Sequence, residues 1–242
     1  MKTSLRKRIA CAVLGLCAAS TALAATWWSS DRWGSWSTNG YTFFNNVWGN
    51  GYGPQTIWVN SISDWGVWSD QPNTGGIKSY PNITKYLNRR ISQIGNLTAH
   101  TETTVPGDGA WESTFDIWDA NHRYEIMLWL NYTGTPDGCG NVKPISYNWT
   151  SNGCAVKVAT IFVGGKNWNV YRGSNGANQV FSFMAVYKNN TSDVDIKALL
   201  NWLKNNGWMG DEVMGDAQFG FEITSSAGGR NFGSRNFNLS FW

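Results

Sequence analysis

The feature that most constrains this chain is a series of short segments with alternating apolar and polar residues, separated by turns rich in glycine, asparagine and aspartate. A period of two is the pattern of a β-strand with one buried face. The clearest such segments are residues 41–47, 56–61, 112–118, 123–131, 155–163, 168–171, 179–187, 217–224 and 237–241. Gly164-Gly165 and Ser174-Asn175-Gly176 are typical of hairpin turns.

Only one segment has clear helical spacing. We predict that it begins near Ser192, because Asp195 three residues later completes a capping-box pattern. Gly207 is placed to end it. The apolar residues that recur at helical spacing are Ile196, Leu199, Leu200 and Leu203. Many strands with one helix predict an all-β fold, a sandwich of two packed antiparallel sheets.

The N-terminus has the pattern of an export signal. Basic residues between positions 2 and 8 precede a short apolar run, and Ala22-Leu23-Ala24 offers a small-x-small cleavage site. We therefore expect a signal peptide over residues 1–24, cleaved after Ala24, and a secreted or periplasmic product. Because the apolar run is too short for a permanent anchor, we expect the mature form to have no membrane attachment.

Residues 25–242 are expected to form a single domain, since no Pro/Ser-rich linker, fixed-period repeat or low-complexity block interrupts them. We expect a monomer. Without the leader, the chain carries 15 basic and 16 acidic side chains. This near-neutral charge gives no support for nucleic acid or anionic lipid as a partner, and it favours a neutral substrate.

Two cysteines remain after the leader, Cys139 and Cys154, in a Gly/Asn-rich stretch. In an exported protein we expect them to form a disulfide, with a pair of free thiols as the alternative. Neither His100 nor His122 lies at ligand spacing from a cysteine, so no metal site is expected.

Tryptophan is unusually frequent, with 16 residues in a chain of which 14% is charged. Indole rings are flat and apolar with a polar N–H, which suits protein cores and also the C–H faces of sugars. We expect more than half of these residues in the core and the others along a polysaccharide groove.

Three predicted strands each place an acid on the face opposite their apolar residues. On residues 123–130, Glu125 shares its face with Met127 and Trp129, an apolar setting. Taken alone, Glu125 would more simply be an exposed charge or half of an ion pair. On residues 217–224, Glu222 shares its face with Gly220, which we expect to leave room for a bulky group near the carboxylate.

The third strand, residues 112–118, places Glu112 and Asp116 beside Trp118. Glycoside hydrolysis needs two carboxyl groups, one as proton donor and one that stabilises or attacks the anomeric carbon. A neighbouring acid such as Asp116 can separate their pKa values. The pattern also fits non-catalytic lectins and carbohydrate-binding sandwiches, which share the fold and the tryptophans.

A series of motifs extends over nearly the whole mature chain. In order, they are Asp31-Arg32-Trp33, Gly40-Tyr41-Thr42, Asn45-Asn46-Val47-Trp48-Gly49, Lys78-Ser79-Tyr80-Pro81-Asn82, Tyr124-Glu125-Ile126-Met127-Leu128-Trp129-Leu130, Val163-Gly164-Gly165-Lys166-Asn167-Trp168, residues 175–183 and Gln218-Phe219-Gly220-Phe221-Glu222. In this order and spacing the chain resembles glycoside hydrolase family 12, small endoglucanases and xyloglucanases with a β-jelly-roll fold and a concave substrate cleft.

The resemblance implies roles for individual residues. Glu125 matches the nucleophile, Glu222 the general acid/base, and Asp116 the acid that hydrogen-bonds the nucleophile. The groups that bind sugar or border the cleft are matched by Trp33, Asn46, Trp48, Met127, Trp129 and Pro144. The resemblance further implies a retaining mechanism, a β-glucan substrate and no cofactor.

This chain departs from the family pattern in two places. The loop that crosses the cleft, residues 133–155, is long and contains both cysteines. Glu112 stands where some members carry a neutral amide.

The functional expectation is a secreted endo-β-1,4-glucanase acting on cellulose or related β-glucans. A xyloglucan-specific enzyme of the same family is one alternative, and a non-catalytic carbohydrate-binding sandwich is another. A xylanase shares the jelly roll, but Glu125-Ile126-Met127-Leu128-Trp129 differs from the local sequence usual around its nucleophile.

Overall fold

The computed structural model describes residues 25–242, so the predicted signal peptide, residues 1–24, lies outside the described residues. None of the helices in the described part has the length and apolar character needed to cross a membrane.

The described residues form fifteen strands and one α-helix. The strands are β1 (Trp27–Ser29), β2 (Ser35–Thr38), β3 (Tyr41–Phe44), β4 (Gln55–Ser61), β5 (Asp64–Ser69), β6 (Asn82–Arg90), β7 (Leu97–Thr104), β8 (Ala110–Asp119), β9 (Tyr124–Tyr132), β10 (Ala159–Val163), β11 (Lys166–Ser174), β12 (Gln179–Ala185), β13 (Thr191–Asp195), β14 (Val213–Ser225) and β15 (Arg230–Phe241). The helix α1 is Ile196–Asn205, and Ile91–Gln93 form one 3₁₀ turn.

The strands form two sheets that face each other. One has six strands in the order β1-β4-β5-β15-β7-β13, and the other has nine in the order β10-β11-β12-β9-β8-β14-β6-β3-β2. The space between them is filled by large apolar side chains from both sheets, among them Trp65, Phe115, Leu128 and Phe219. The predicted all-β sandwich with one α-helix is confirmed.

One strand pair departs from the predicted antiparallel arrangement. β9 and β12 run parallel, with Tyr124 opposite Gln179 and Trp129 opposite Met184. Parallel neighbours need a crossover connection, because the chain must return to the end where the first strand began. Residues 133–158 begin this return, and β10 and β11 complete it.

The nine predicted strands all coincide with parts of observed ones, although β10 begins at Ala159 rather than at residue 155. Six strands were not predicted: β1, β2, β5, β6, β7 and β13.

The predicted start of the helix was wrong. Ser192 lies in β13, where it pairs with Thr101 of β7. The cap is Asp195, whose side chain accepts a hydrogen bond of 2.9 Å from the backbone N–H of Ala198. Gly207 follows the helix with φ +69°, the left-handed conformation that ends helices, as predicted.

Candidate active site

A tight hairpin fixes the register of the two strands that carry Asp116 and Glu125. Its corner is Asp119, whose buried carboxylate accepts hydrogen bonds from the backbone N–H groups of Arg123 (2.6 Å) and Tyr124 (2.7 Å). This register sets Asp116 opposite Met127 and Trp118 opposite Glu125. Because directly opposite residues share a face of the sheet, Asp116 and Glu125 point to the same side.

The third acidic strand, β14, pairs with the other edge of β8. Gln218 lies opposite Asp116, and Glu222 lies opposite Glu112. The order β9-β8-β14 therefore places Glu125, Asp116 and Glu222 on one face, pointing away from the core between the sheets. Three acids distant in sequence converge because the sheet sets their strands side by side.

These acids line a cleft of about 450 Å³ on the outer face of the nine-stranded sheet. Its walls are largely aromatic and apolar, and they include Trp48, Trp118 and Ile145. A cleft with apolar walls and a few polar groups is suited to bind a small or chain-like ligand.

The crossing loop forms one wall of this cleft. Cys139 and Cys154 form a disulfide with their Cα atoms 4.5 Å apart, which closes the loop on itself. Val142 of the loop packs in a second apolar cluster with Met127 and Trp129. The loop thereby covers much of the sheet face on which these two side chains stand.

Glu125 is held by a hydrogen bond from the neighbouring hairpin. Asn175 Nδ2 donates to Glu125 Oε2 at 3.1 Å. The side-chain oxygen of Asn175, Oδ1, in turn accepts from the backbone N–H groups of Ala177 (3.0 Å) and Asn178 (2.8 Å), which fixes the amide in position. Burial, with the charge of Glu222 in addition, raises the pKa of Glu125 to about 7, while the Asn175 hydrogen bond opposes this rise.

Glu222 has a different partner, the carboxyl group of Glu112. Burial raises the pKa of Glu222 well above its usual value, and the charge of Glu112 and a hydrogen bond between the two carboxyl groups raise it further. Glu112 is only 2% exposed, and burial raises its own pKa to about 7. The surroundings of Glu222 therefore favour its protonated form, whereas Asn175 favours the ionised form of Glu125.

Asp116 lies between these two groups along the sheet. Burial raises its pKa well above the usual value, and the charges of Glu125 and Glu222 add to the effect. Asp116 Oδ1 is buried without a hydrogen-bond partner among the described residues. The expected hydrogen bond from Asp116 to Glu125 is therefore not formed through this oxygen, and Asn175 is the partner that the structure provides for Glu125.

Comparison with known proteins decides what kind of cleft this is. A model of glycosyl hydrolase family 12 matches residues 39–241. The chain belongs to this family. It is a glycoside hydrolase, and the resemblance noted from its motifs is confirmed.

Several relatives within family 12 are similar over most of their length. The probable xyloglucan-specific endo-β-1,4-glucanase A of Aspergillus fumigatus is 31% identical over 87% of this chain and 90% of its own. Endoglucanase S of Pectobacterium parmentieri is 27% identical over 78% of each. The xyloglucanase domain of NopAA, a type three effector from Sinorhizobium fredii solved in complex with cellobiose, is 45% identical with a TM-score of 0.88, covering 90% of this chain and all of that one.

Most of the residues assigned from the family pattern line the cleft. These are Glu125, Glu222, Asp116, Asn46, Trp48, Met127 and Trp129. Met127 and Trp129 are almost fully buried, so they form a covered floor rather than an open sugar platform.

Two assigned residues do not line this cleft. Trp33 is 60% exposed and lies beside the Arg32 guanidinium, 5.5 Å from its ring centre. Pro144 is buried, and its neighbours Lys143 and Ile145 reach the cleft instead. The loop was placed correctly, but a buried proline anchors it while adjacent side chains face the ligand space.

The expected role of Gly220 was wrong. A Cβ atom at this position would lie 2.1 Å from the backbone oxygen of Pro81 and 2.8 Å from Asn82 Cβ. The space beside Gly220 is therefore occupied by the neighbouring chain rather than left for a ligand. Glycine is needed here for close approach of two backbones.

Sequence reasoning missed other residues of the family 12 cleft, above all Asn175. It was interpreted as a turn residue, and its second role depends on a hairpin that becomes a neighbour of β9 only in the folded sheet. The asparagine at each end of the Asn175-Gly176-Ala177-Asn178 turn was the available signal, because asparagine side chains organise such turns. Further missed cleft residues are His122, Lys143 and Ile145, whereas Trp118 was placed beside Asp116 on the correct face without a role in the site.

Proposed function

We propose that this chain is a retaining endo-β-1,4-glucanase in which Glu125 is the nucleophile and Glu222 the general acid/base. The observation that carries the proposal is that the two carboxyl groups in one cleft have different neighbours, which favour different protonation states. Asn175 donates a hydrogen bond to Glu125, while Glu112 favours a proton on Glu222. A double displacement requires this combination of one ionised and one protonated acid.

In the first step, Glu222 gives its proton to the glycosidic oxygen while a carboxylate oxygen of Glu125 bonds to the anomeric carbon. The bond between that carbon and the leaving sugar breaks, and a glycosyl ester on Glu125 remains. In the second step, the ionised Glu222 takes a proton from water, the water oxygen bonds to the same carbon, and the ester bond to Glu125 breaks, which returns the carboxylate. The sugar leaves with its original anomeric configuration, and both acids regain their starting states.

Asp116 is proposed to act through Glu125 rather than on the sugar. Burial and the charges of Glu125 and Glu222 raise its pKa, which favours the protonated form that adds no charge next to the carboxylate. A neutral acid in this position can donate a hydrogen bond to Glu125 when the negative charge returns to it on breakdown of the ester.

Xyloglucan is our proposed preferred polymer within this activity. The support comes from relatives, since the Aspergillus fumigatus protein and the Sinorhizobium fredii domain are both named for xyloglucan. Unsubstituted β-1,4-glucan is the second candidate, favoured by the relative called endoglucanase S.

The catalytic assignment is tested with Glu125→Gln and Glu222→Gln, which keep side-chain size and remove the carboxyl function. Each is expected to lower kcat on a soluble β-glucan by about 10³-fold or more with the fold intact. Glu102→Gln, on the outer face of the six-stranded sheet, is the matched control. A 2-deoxy-2-fluoro glycoside should label Glu125, found by peptide mapping, and label on another residue would contradict the assignment.

The substrate proposal is tested by comparing kcat/KM on tamarind xyloglucan, barley β-glucan and carboxymethylcellulose. We expect the highest value on xyloglucan. A higher kcat/KM on carboxymethylcellulose would instead support a preference for unsubstituted β-1,4-glucan. Proton NMR of the first products should show the β-anomer, as retention requires.

We also propose that the chain is exported and that cleavage follows Ala24. The proposal rests on the sequence pattern of residues 1–24. Mass spectrometry of the protein recovered from culture medium should find Ala25 as its first residue, and an intact Met1 there would contradict it.

A further inference from the structure

Three tryptophans form a diagonal stripe on the outer face of the six-stranded sheet, on the side of the sandwich opposite the cleft. Trp28 on β1 lies directly opposite Trp58 on β4. Trp58 lies opposite Gly66 on β5, and Trp68 is two residues further along that strand. Such direct and diagonal neighbours are within reach of aromatic side chains. We call these three residues the tryptophan stripe.

Glycines allow two of these rings to lie across the sheet. A Cβ atom at Gly66 would be 2.6 Å from the Trp58 ring, and one at Gly229 would be 3.0 Å from Trp68 Nε1. A larger residue at either position would therefore displace the indole. Trp28 and Trp68 are 64% and 38% exposed. The stripe thus consists of two exposed indoles, Trp28 and Trp68, with the half-buried indole of Trp58 between them.

The surroundings of the stripe are polar but carry little free charge. Arg235 forms an ion pair with Asp64 at 3.1 Å, and the hydroxyl groups of Ser30 and Thr56 form a hydrogen bond of 2.7 Å. Ion-paired groups give no net attraction for an anion or a cation. An apolar flat surface bordered by hydroxyl groups is complementary to a neutral ligand with flat C–H faces and polar edges, which describes a sugar chain.

We propose that the tryptophan stripe is a second, non-catalytic binding surface for the β-glucan polymer. The choice of β-glucan as its ligand rests on the proposed function, whereas the surface itself is independent of the cleft. A polymer bound there holds the enzyme next to further substrate and raises the effective concentration at the cleft. A short oligosaccharide bound in the cleft does not reach the opposite side of the sandwich.

The test uses Trp28→Ala combined with Trp68→Ala, with the single Trp28→Ala on the edge strand as a second, milder variant. Trp242→Ala is the matched control, because Trp242 is 68% exposed and its ring also lies over a glycine, Gly95. It is outside the stripe, at the end of β15 beside Asn96. All variants are made in a Glu125→Gln background so that the polymer is not degraded. Cellotetraose is added to occupy the cleft, so that the measured polymer affinity reports on the stripe.

Affinity electrophoresis through gels with xyloglucan or barley β-glucan measures the polymer affinity. We expect the double variant to bind about tenfold more weakly, the single variant to fall between, and Trp242→Ala to match the parent. With Glu125 restored, the double variant should hydrolyse a short chromogenic cello-oligosaccharide at the parental rate. If the parent protein, with Glu125 and the stripe intact, did not hydrolyse this oligosaccharide, the result would count against the proposed function and not against the stripe.

Polymer affinity unchanged in the double variant would overturn the proposal. So would an equal loss in Trp242→Ala, since any exposed tryptophan would then suffice. Sedimentation velocity tests whether the stripe is instead an interface between two copies of this chain. A dimer in the parent and a monomer in the double variant would show that it is, and would overturn the glycan proposal.

Discussion

Glu112 and Glu222 lie directly opposite each other on β8 and β14, and the charge of Glu112 raises the pKa of Glu222. Glu112 is buried beside the cleft and does not line it. It is therefore placed to influence the proton on Glu222 without touching the sugar. This pair explains how one of two neighbouring glutamates in the cleft can stay protonated while the other ionises.

Glu112→Gln should move the alkaline limb of the kcat/KM profile to lower pH by about one unit. The charge of Glu112 raises the pKa of Glu222, so its removal lets Glu222 lose its proton earlier. The acidic limb should move less. Glu102→Gln serves as the control, and an alkaline limb that stays in place would show that Glu112 does not tune Glu222.

The same variant should alter how stability depends on pH. Burial raises the folded-state pKa of Glu112 from 4.5 to about 7. The folded state therefore binds more protons than the unfolded state between these values, and stability is lost as pH rises through about 7. The glutamine in Glu112→Gln cannot ionise. Between pH 5 and pH 8, the Tm of this variant should therefore fall by about 5 °C less than the Tm of the parent. Parallel Tm curves would contradict this.

Asn175→Ala should shift the acidic limb of the same profile to higher pH. The Asn175 hydrogen bond favours ionised Glu125, so its loss should raise the pKa of Glu125 and leave less nucleophile at pH 6. Activity at pH 8 should suffer less than activity at pH 6. Asn206→Ala, at the end of α1, is the control, and an equal loss at both pH values would indicate general disruption of the hairpin instead.

Cys139→Ser combined with Cys154→Ser should lower the free energy of unfolding by about 3 kcal/mol, the loss expected for a closed loop of this length. Because Lys143 and Ile145 of this loop line the cleft, KM for the polymer should rise more than kcat falls. Urea unfolding and steady-state kinetics measure the two effects. Unchanged KM with lowered stability would limit the disulfide to a structural role.

Gly220→Ala should be strongly destabilising, by about 3 kcal/mol or more, because its methyl group would overlap the Pro81 backbone oxygen. Gly107→Ala is the matched control, since a Cβ atom there meets nothing within 4 Å and the backbone is not in the left-handed region. Urea unfolding of both variants makes the comparison. Equal stability of the two would mean that the β6–β14 contact relaxes freely.

Alternation along single strands was enough to predict which side chains face the cleft. On β9 the core takes Ile126 and Leu128, while Glu125 lines the cleft. This part of the prediction was reliable because side-chain direction in a strand follows from backbone geometry with a period of two. The motif series indicated the family because each motif is a short run of residues whose order and spacing are given directly by the sequence.

The sequence by itself thus determined the sandwich, the family and the face on which each acid lies. Only the tertiary structure decided which groups surround each acid, because pKa values depend on burial and on neighbours brought by other strands. Asn175 reaches Glu125 through the parallel β9–β12 pair, and Glu112 meets Glu222 through the register of β8 and β14. Strand order is a long-range property, because β8 and β14, or β9 and β12, become neighbours only in the folded sheet. A local turn fixes the register of a hairpin such as β8–β9, but it does not specify which distant strand pairs with each free edge.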